Sequence, residues 1–378
     1  MNYNKIIFIG CFNIEFSSND ANSPAANQVQ VEIIDSISKV FPESIVKVSA
    51  NKPKRTWPFS SFLQPSERIG KYKFQGYFNI VFLRDISIYF KHFLMILNFK
   101  PNIIFKYNTT LFESLFLYLV KLIFKTKIVL FIQDVSYQDK SSNFLNRYLE
   151  ILGLKIASDF DVLVPITKDF VSDFGFQNEK CVVFQGGLTS QAKKLMSSEI
   201  NFEAVNESRF LVFAGALEEY NGIKDIVDYW VKNTPDFDLH IYGKGPFEEY
   251  VKGCAAKVST IKYFGFADEC KIVSEQLLAY GNFCFRNSKG INQKYFFPSK
   301  LYNVLASPGR ALVNDFDNFP SGIKEKCYLL DEDLNNFDTV MSVNCKIDIS
   351  SNHDDRRDWL RKYANWSFAI EEVKKLLK

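Results

Sequence analysis

Histidine is almost missing from this chain, with 3 residues in 378, and methionine is nearly as scarce at 4. Imidazole-based metal catalysis is therefore not expected, and no metal site is assigned. The 7 cysteines are odd in number and widely scattered. None form a CxxC pair that would make a zinc or redox motif, so they read as reduced core thiols of a cytosolic protein. No apolar run is long enough for a membrane span. The best candidate, residues 111–131, is interrupted by Glu113, Lys121, Lys125 and Lys127, whereas a span needs about 20 mostly apolar residues. The first residues pass from Asn4-Lys5 into a short apolar stretch with neither the length nor the cleavage site of a signal peptide, and secretion is not expected. Fixed-period repeats and low-complexity tracts are also absent.

What remains is an ordinary globular composition, 47% apolar and 24% charged, in a chain long enough for two domains. Aromatics are plentiful, with 38 Phe and 18 Tyr. The net charge of +3 is unevenly placed: residues 51–130 carry 13 Lys and Arg against Glu67, Asp85 and Glu113, or +10, which leaves −7 for the remainder. Trp57, Phe59, Phe62, Tyr72 and Phe90 are interleaved with those cations. Such a mixture suits an anionic membrane surface, a nucleic acid, or a solvated face over an aromatic core. The membrane surface is the expected partner; nucleic acid is not.

Short apolar runs without alternation recur between helical patterns, as buried parallel strands do. In the first half, strands are expected at Lys5–Ile9, Ile45–Ser49, Tyr77–Leu83, Asn102–Lys106, Ile128–Ile132, Asp161–Pro165 and Cys181–Phe184, with helices between them. A polar stretch follows, and the pattern restarts at Arg209. The fold class is therefore α/β, with two doubly wound Rossmann-like domains facing across a cleft. The expected boundaries are 1–188 for an acceptor- and membrane-facing domain, 189–208 for a linker and 209–355 for a ligand-binding domain. An amphipathic C-terminal helix, 356–378, would return to complete the first domain.

Four turns in the second half carry chemistry. Gly215 ends a strand and leads through Asn221-Gly222 into a helix, and Gly243-Lys244-Gly245-Pro246 ends the next strand. Glycine-rich strand ends that feed helix N-termini suit anions, because free N–H groups and the helix dipole point at the ligand. Neither turn is a GxGxxG or Walker loop, so dehydrogenase and P-loop readings lose support. Arg286 closes a third strand end. Pro298-Ser299-Lys300 then opens a helix and would bring a hydroxyl, amides and an ammonium to one point, forming a diphosphate cradle.

The order Gly215, Asn221-Gly222-Ile223, Gly243-Lys244-Gly245-Pro246, Phe264-Gly265, Phe297-Pro298-Ser299-Lys300-Leu301 and Ala306 to Gly309 resembles the donor half of glycosyltransferase family 4. The resemblance extends weakly to Gln133-Asp134, Pro165-Ile166-Thr167 and Gln185-Gly186-Gly187. It implies the GT-B fold, a nucleotide-diphosphate sugar as co-substrate, no cofactor or metal, and retention of anomeric configuration. It also places the leaving diphosphate against Ser299 and Lys300, with Gly215 and Asn221 in further contact. Lys244 and Gly245 would lie near the nucleotide, and Arg286 near the sugar or phosphate. Ser23 to Asn27 would close over the donor, while Gln133 and Asp134 would face the acceptor, with Asp134, Arg286 and Lys300 as the catalytic set. Where family members carry an Arg and a Lys, this chain has Ala216 and Asn221, and where they carry two Glu residues it has Tyr295 and Asn303. Asn303 would meet the ribose, with one hydrogen bond accepted and others donated.

The resulting expectation is a bacterial-type transferase that moves a sugar onto a lipid-linked or polysaccharide acceptor in cell-surface polysaccharide biosynthesis. It would work in the cytoplasm, peripherally attached to the inner face of the membrane. Two other readings remain open: a catalytically inactive GT-B protein that assists another transferase, and a sugar-nucleotide epimerase of the same fold.

Overall fold

Residues Ile6 to Gly10 form an unbroken buried run, the mark of a parallel strand covered on both faces. The computed structural model describes residues 3–14, 24–81, 83–133, 135, 144–287, 294–343 and 348–378. The chain divides into one unit of Met1–Gly187 with Trp366–Lys378 and a second of Leu188–Asn365.

The first unit contains β1 (Lys5–Cys11), α1 (Pro24–Val40), β2 (Ile45–Asn51), β3 (Leu63–Gln64), β4 (Glu67–Ile69), β5 (Tyr72–Phe74) and β6 (Tyr77–Phe78). It continues with α2 (Leu83–Phe99), β7 (Ile103–Tyr107), α3 (Leu111–Phe124), β8 (Lys127–Ile132), α4 (Phe144–Ala157), β9 (Val162–Pro165) and α5 (Asp169–Phe174). Its main sheet runs β4-β5-β2-β1-β7-β8-β9 and is parallel except at β4. Helix α3 begins where Thr110 and Glu113 form a reciprocal capping box, which satisfies two N–H groups that would otherwise lack partners.

The second unit contains α6 (Ser190–Ser197), α7 (Phe202–Glu207), β10 (Phe210–Ala214), α8 (Ile223–Asn233), β11 (Asp238–Tyr242), α9 (Glu248–Ala255), β12 (Ile261–Gly265) and α10 (Glu269–Leu278). It then adds β13 (Gly281–Cys284), α11 (Lys300–Ala306), β14 (Arg310–Asn314), β15 (Tyr328–Leu330), α12 (Phe337–Val343) and α13 (Ile349–Tyr363). All six strands are parallel in the order β12-β11-β10-β13-β14-β15. The strand order reverses between β10 and β13, so their carboxyl ends flank the topological switch point where ligands of such sheets sit.

The structure departs from the sequence reading in four places. The expected strand Tyr77–Leu83 is only Tyr77–Phe78, antiparallel to β3. The buried Asn79 amide donates to the carbonyls of Arg55 (2.8 Å) and Ser61 (3.1 Å), which turns the chain before α2 begins. The expected strand Cys181–Phe184 follows the edge of β9 through Val182 and Phe184 N–H bonds of 2.9 Å but forms only a single bridge. The expected linker 189–208 is two helices. Thr189 and Asn201 cap them, and Ala192, Leu195 and Val205 are fully buried. The C-terminal segment divides into α13, which belongs to the second unit, and α14 (Trp366–Leu376), which packs Trp366, Ile370 and Val373 into the core of the first. Among the described residues, no helix is long and apolar enough to cross a membrane.

Candidate functional site

The carboxyl ends of β10 and β11 lie in direct backbone contact. Gly215 N–H donates to the Tyr242 carbonyl (2.9 Å) and Leu217 N–H to the Lys244 carbonyl (3.0 Å). That closeness requires glycine. Gly243 has a φ of +143°, and a Cβ there would stand 1.8 Å from the Gly215 carbonyl oxygen, while one on Gly245 would stand 2.5 Å from the Leu217 carbonyl oxygen. Asn221 is buried and donates to the Ala216 carbonyl (2.8 Å), so it braces the loop after β10 from within.

Lys300, the first residue of α11, extends over this loop. A Cβ on Gly215 would lie 2.0 Å from its Nζ, so only glycine leaves the ammonium room. Among the described residues Lys300 has no hydrogen bond or ion pair. Burial lowers its pKa from the ordinary lysine value; Cys284 opposes that shift and Arg286 adds to it. Arg286 follows β13, and its guanidinium lies 4.7 Å from the Tyr220 ring centroid and 5.4 Å from that of Phe296. Its backbone is fixed by reciprocal bonds with the Asn314 side chain (2.7 and 2.8 Å). Behind both cations the Cys284 thiol is pushed up to about 12 by burial, against the lowering pull of Lys300 and Arg286. It therefore stays neutral and balances neither charge. Two cations at a switch point, one of them unpartnered, leave positive charge uncompensated there, as suits an anion.

Other expected residues fall around this pair. Ser299 is exposed and its hydroxyl does not cap α11, while Pro298 is half-buried beside it. Lys244 is exposed, and its field adds to the Lys252 and Tyr263 hydrogen bonds and the Lys252 charge that hold the Glu248 carboxyl below its ordinary range against the opposing effect of desolvation. Tyr295 is buried. Asn303 is buried with both ends of its amide engaged: it accepts from the Thr189 hydroxyl and donates to Gln191 (2.9 Å), anchoring the start of α6. Its amide oxygen and one N–H are thus engaged within the second unit. Asp134 and Ser23 lie outside the described residues. Gln133 is buried and donates to the Val164 carbonyl (3.3 Å). Tyr220, Phe296 and Asn314 had no assigned role. For Asn314 a signal existed, since a polar side chain ending a buried strand must find partners.

In the first unit the basic window is partly neutralised. Lys121 and Lys127 both pair with Asp161 (3.1 and 3.0 Å), Lys106 pairs with Glu113 (2.8 Å), and Lys52 pairs with Glu67.

No family model matches the chain, and no curated protein matches it by sequence. Solved structures match along its whole length. The lipopolysaccharide outer core galactosyltransferase WaaB, in its apo form, superposes with a TM-score of 0.63 at 13% identity, with 99% of each chain covered. Anabaena HepE in complex with UDP gives 0.63 at 11% identity, again over 99% of each chain. The UDP-forming alpha,alpha-trehalose-phosphate synthase from Burkholderia vietnamiensis gives 0.66 at 10% identity, covering 100% of this chain and 98% of that one. The chain has the GT-B fold. Each half is a mainly parallel, Rossmann-like sheet with helices between its strands, and the Lys300–Gly215 contact occupies the switch point of the second half.

Proposed function

We propose that this protein is a glycosyltransferase that uses a nucleotide-diphosphate sugar, and that Lys300 and Arg286 receive the leaving diphosphate. The observation that carries this reading is the unpartnered Lys300 ammonium over Gly215, in the field of a second cation. As the sugar departs, the electron pair of its C1–O bond moves to the diphosphate, and fixed positive charge at that point lowers the barrier. The same two cations provide charge that a metal would otherwise supply, and we infer a metal-independent, retaining reaction. The UDP complex of HepE favours a uridine nucleotide as the first candidate. The lipopolysaccharide role of WaaB favours a lipid-linked or polysaccharide acceptor in cell-surface polysaccharide assembly.

An exposed apolar stripe on α3, formed by Phe112, Leu115, Leu119, Leu122 and Ile123 at helical spacing, supports peripheral attachment to an anionic membrane. The attachment surface is thus apolar at α3, where Lys121 and Lys127 are already paired.

A thermal-shift screen of nucleoside diphosphates and their sugars tests the proposal. A ligand at 100 times its Kd stabilises by about 2.7 kcal/mol, so one nucleotide should raise Tm clearly, and its sugar should turn over with an acceptor extract. Absence of any shift would reject the donor site. A shift without turnover on any acceptor would favour the assisting, inactive homologue.

A further inference from the structure

Beside the first half of β2 and the second half of α2, the first unit contains an open groove of about 730 Å³. Along β2 it lies toward the amino end, opposite the carboxyl end where ligands of such sheets ordinarily sit. Its lining includes Lys47, Arg68, Lys71, Lys73 and Lys91 and no carboxylate. Lys73 and Lys91 have no hydrogen bond or ion pair among the described residues. Lys47 lies over the Phe99 ring at 4.1 Å, and Lys71, on the exposed rim, pairs with Asp35 and lies 5.3 Å from the Tyr72 ring centroid. The floor is polar and fixed: buried Gln75 donates to Ser49 Oγ (2.9 Å), which bonds His92 Nδ1 (2.8 Å). Converging like charges repel, and a concave basic surface recovers that cost only when an anion occupies it.

A second feature adjoins it. On a wheel of 3.6 residues per turn, Leu83, Ile86, Phe90 and Leu97 of α2 fall within about 60° of one another, and Lys91 and Asn98 occupy the next sector, facing the groove. All four of these apolar side chains are exposed, Ile86 to 64%. A basic groove beside an exposed apolar helix stripe matches the two halves of an anionic lipid.

We propose that this groove binds the phosphate of an anionic lipid headgroup while the α2 stripe enters the adjacent acyl layer. The inference rests on the membrane part of the reading above and is independent of the transfer reaction.

Flotation with phosphatidylcholine vesicles, with and without phosphatidylglycerol, tests it on the full chain. Lys73→Glu with Lys91→Glu should lower partition onto phosphatidylglycerol vesicles by about tenfold or more, since each basic residue near the surface contributes about 1 kcal/mol. Lys232→Glu with Lys257→Glu, the same charge change on exposed residues of the second unit, should change it by no more than about twofold. Equal losses in the two pairs, or no loss in the first, would overturn the groove assignment. Ile86→Asn with Phe90→Asn should lower partition by about tenfold or more, leaving what the α3 stripe contributes. If that pair floats normally while calorimetry with inorganic phosphate shows binding that depends on Lys73 and Lys91, the groove serves a soluble anion and the lipid assignment fails. Nucleoside-diphosphate thermal shifts should persist in every variant, which separates this outcome from failure of the donor site.

Discussion

At the scale of single residues, the proposed donor site depends on one side chain that is present and one that is absent. Lys300→Ala should lower transfer by roughly one to three orders of magnitude, as removal of a charge-stabilising donor does, with the loss read in kcat/KM. The lowered pKa of Lys300 gives the sign of a pH effect. Affinity for the diphosphate should fall as pH rises, starting below the ordinary lysine range, and Lys300→Arg should remove that alkaline loss because a guanidinium stays charged. The two glycines should separate from each other. A Cβ on Gly215 meets only the flexible end of Lys300, so Gly215→Ala should raise nucleotide Kd by about tenfold with Tm nearly unchanged. Gly243→Ala meets backbone at a positive φ and should cost about 1–3 kcal/mol of stability in urea unfolding.

At the scale of elements, α11 is held at the end opposite Lys300. Fully buried Arg356 of α13 donates to the carbonyls of Val304 (3.4 Å), Pro308 (3.3 Å) and Gly309 (2.9 Å), and His353 meets the Ala306 carbonyl at 3.1 Å. Burial lowers the Arg356 pKa to about 10, so the ion is costly, but orphaning three carbonyls costs more. Arg356→Met should therefore reduce the unfolding free energy by about 2 kcal/mol, measured by urea titration, and loosen the placement of Lys300.

The strands of the second sheet, those of the first apart from the three-residue β4 and β5, and the glycine-rich turns at Gly215 and Gly243 were legible because unbroken apolar runs and glycine-rich strand ends are local signals. Asn303 was not legible. Its partners Thr189 and Gln191 lie more than a hundred positions away, in a stretch whose sparse large apolar residues read as a linker. Tyr77 to Leu83 misled for the opposite reason. Its aromatic, β-branched composition favours a strand, but the buried Asn79 amide ends that strand after two residues.

At the scale of the whole molecule, each unit carries a buried histidine that reports on its own unfolding. Burial lowers His92 in the first unit to about 3, with Lys106 adding to the shift, and burial chiefly lowers His353 in the second to about 4. Both stay neutral in the folded chain while the unfolded chain takes up protons below pH 6.5, so stability falls as pH drops through that value. At pH 5 each unit should be about 2 kcal/mol less stable than at pH 7, by unfolding curves at the two pH values. His92→Gln should remove the effect from the first unit alone.

Helix α14 gives this two-unit chain an order in time. The core of the first unit is closed by Trp366, Ile370 and Val373, yet the second unit, Leu188–Asn365, lies between them and the rest of that core in the sequence. On a ribosome adding about 5–20 residues per second, the 178 residues of that insertion (365 − 188 + 1) take roughly 10–35 seconds to make. Throughout that interval Phe131 and Phe184, which Trp366 covers at 5.9 and 4.7 Å between ring centroids, wait for a partner not yet translated. The nascent first unit thus keeps apolar surface uncovered until the final residues of α14 are made.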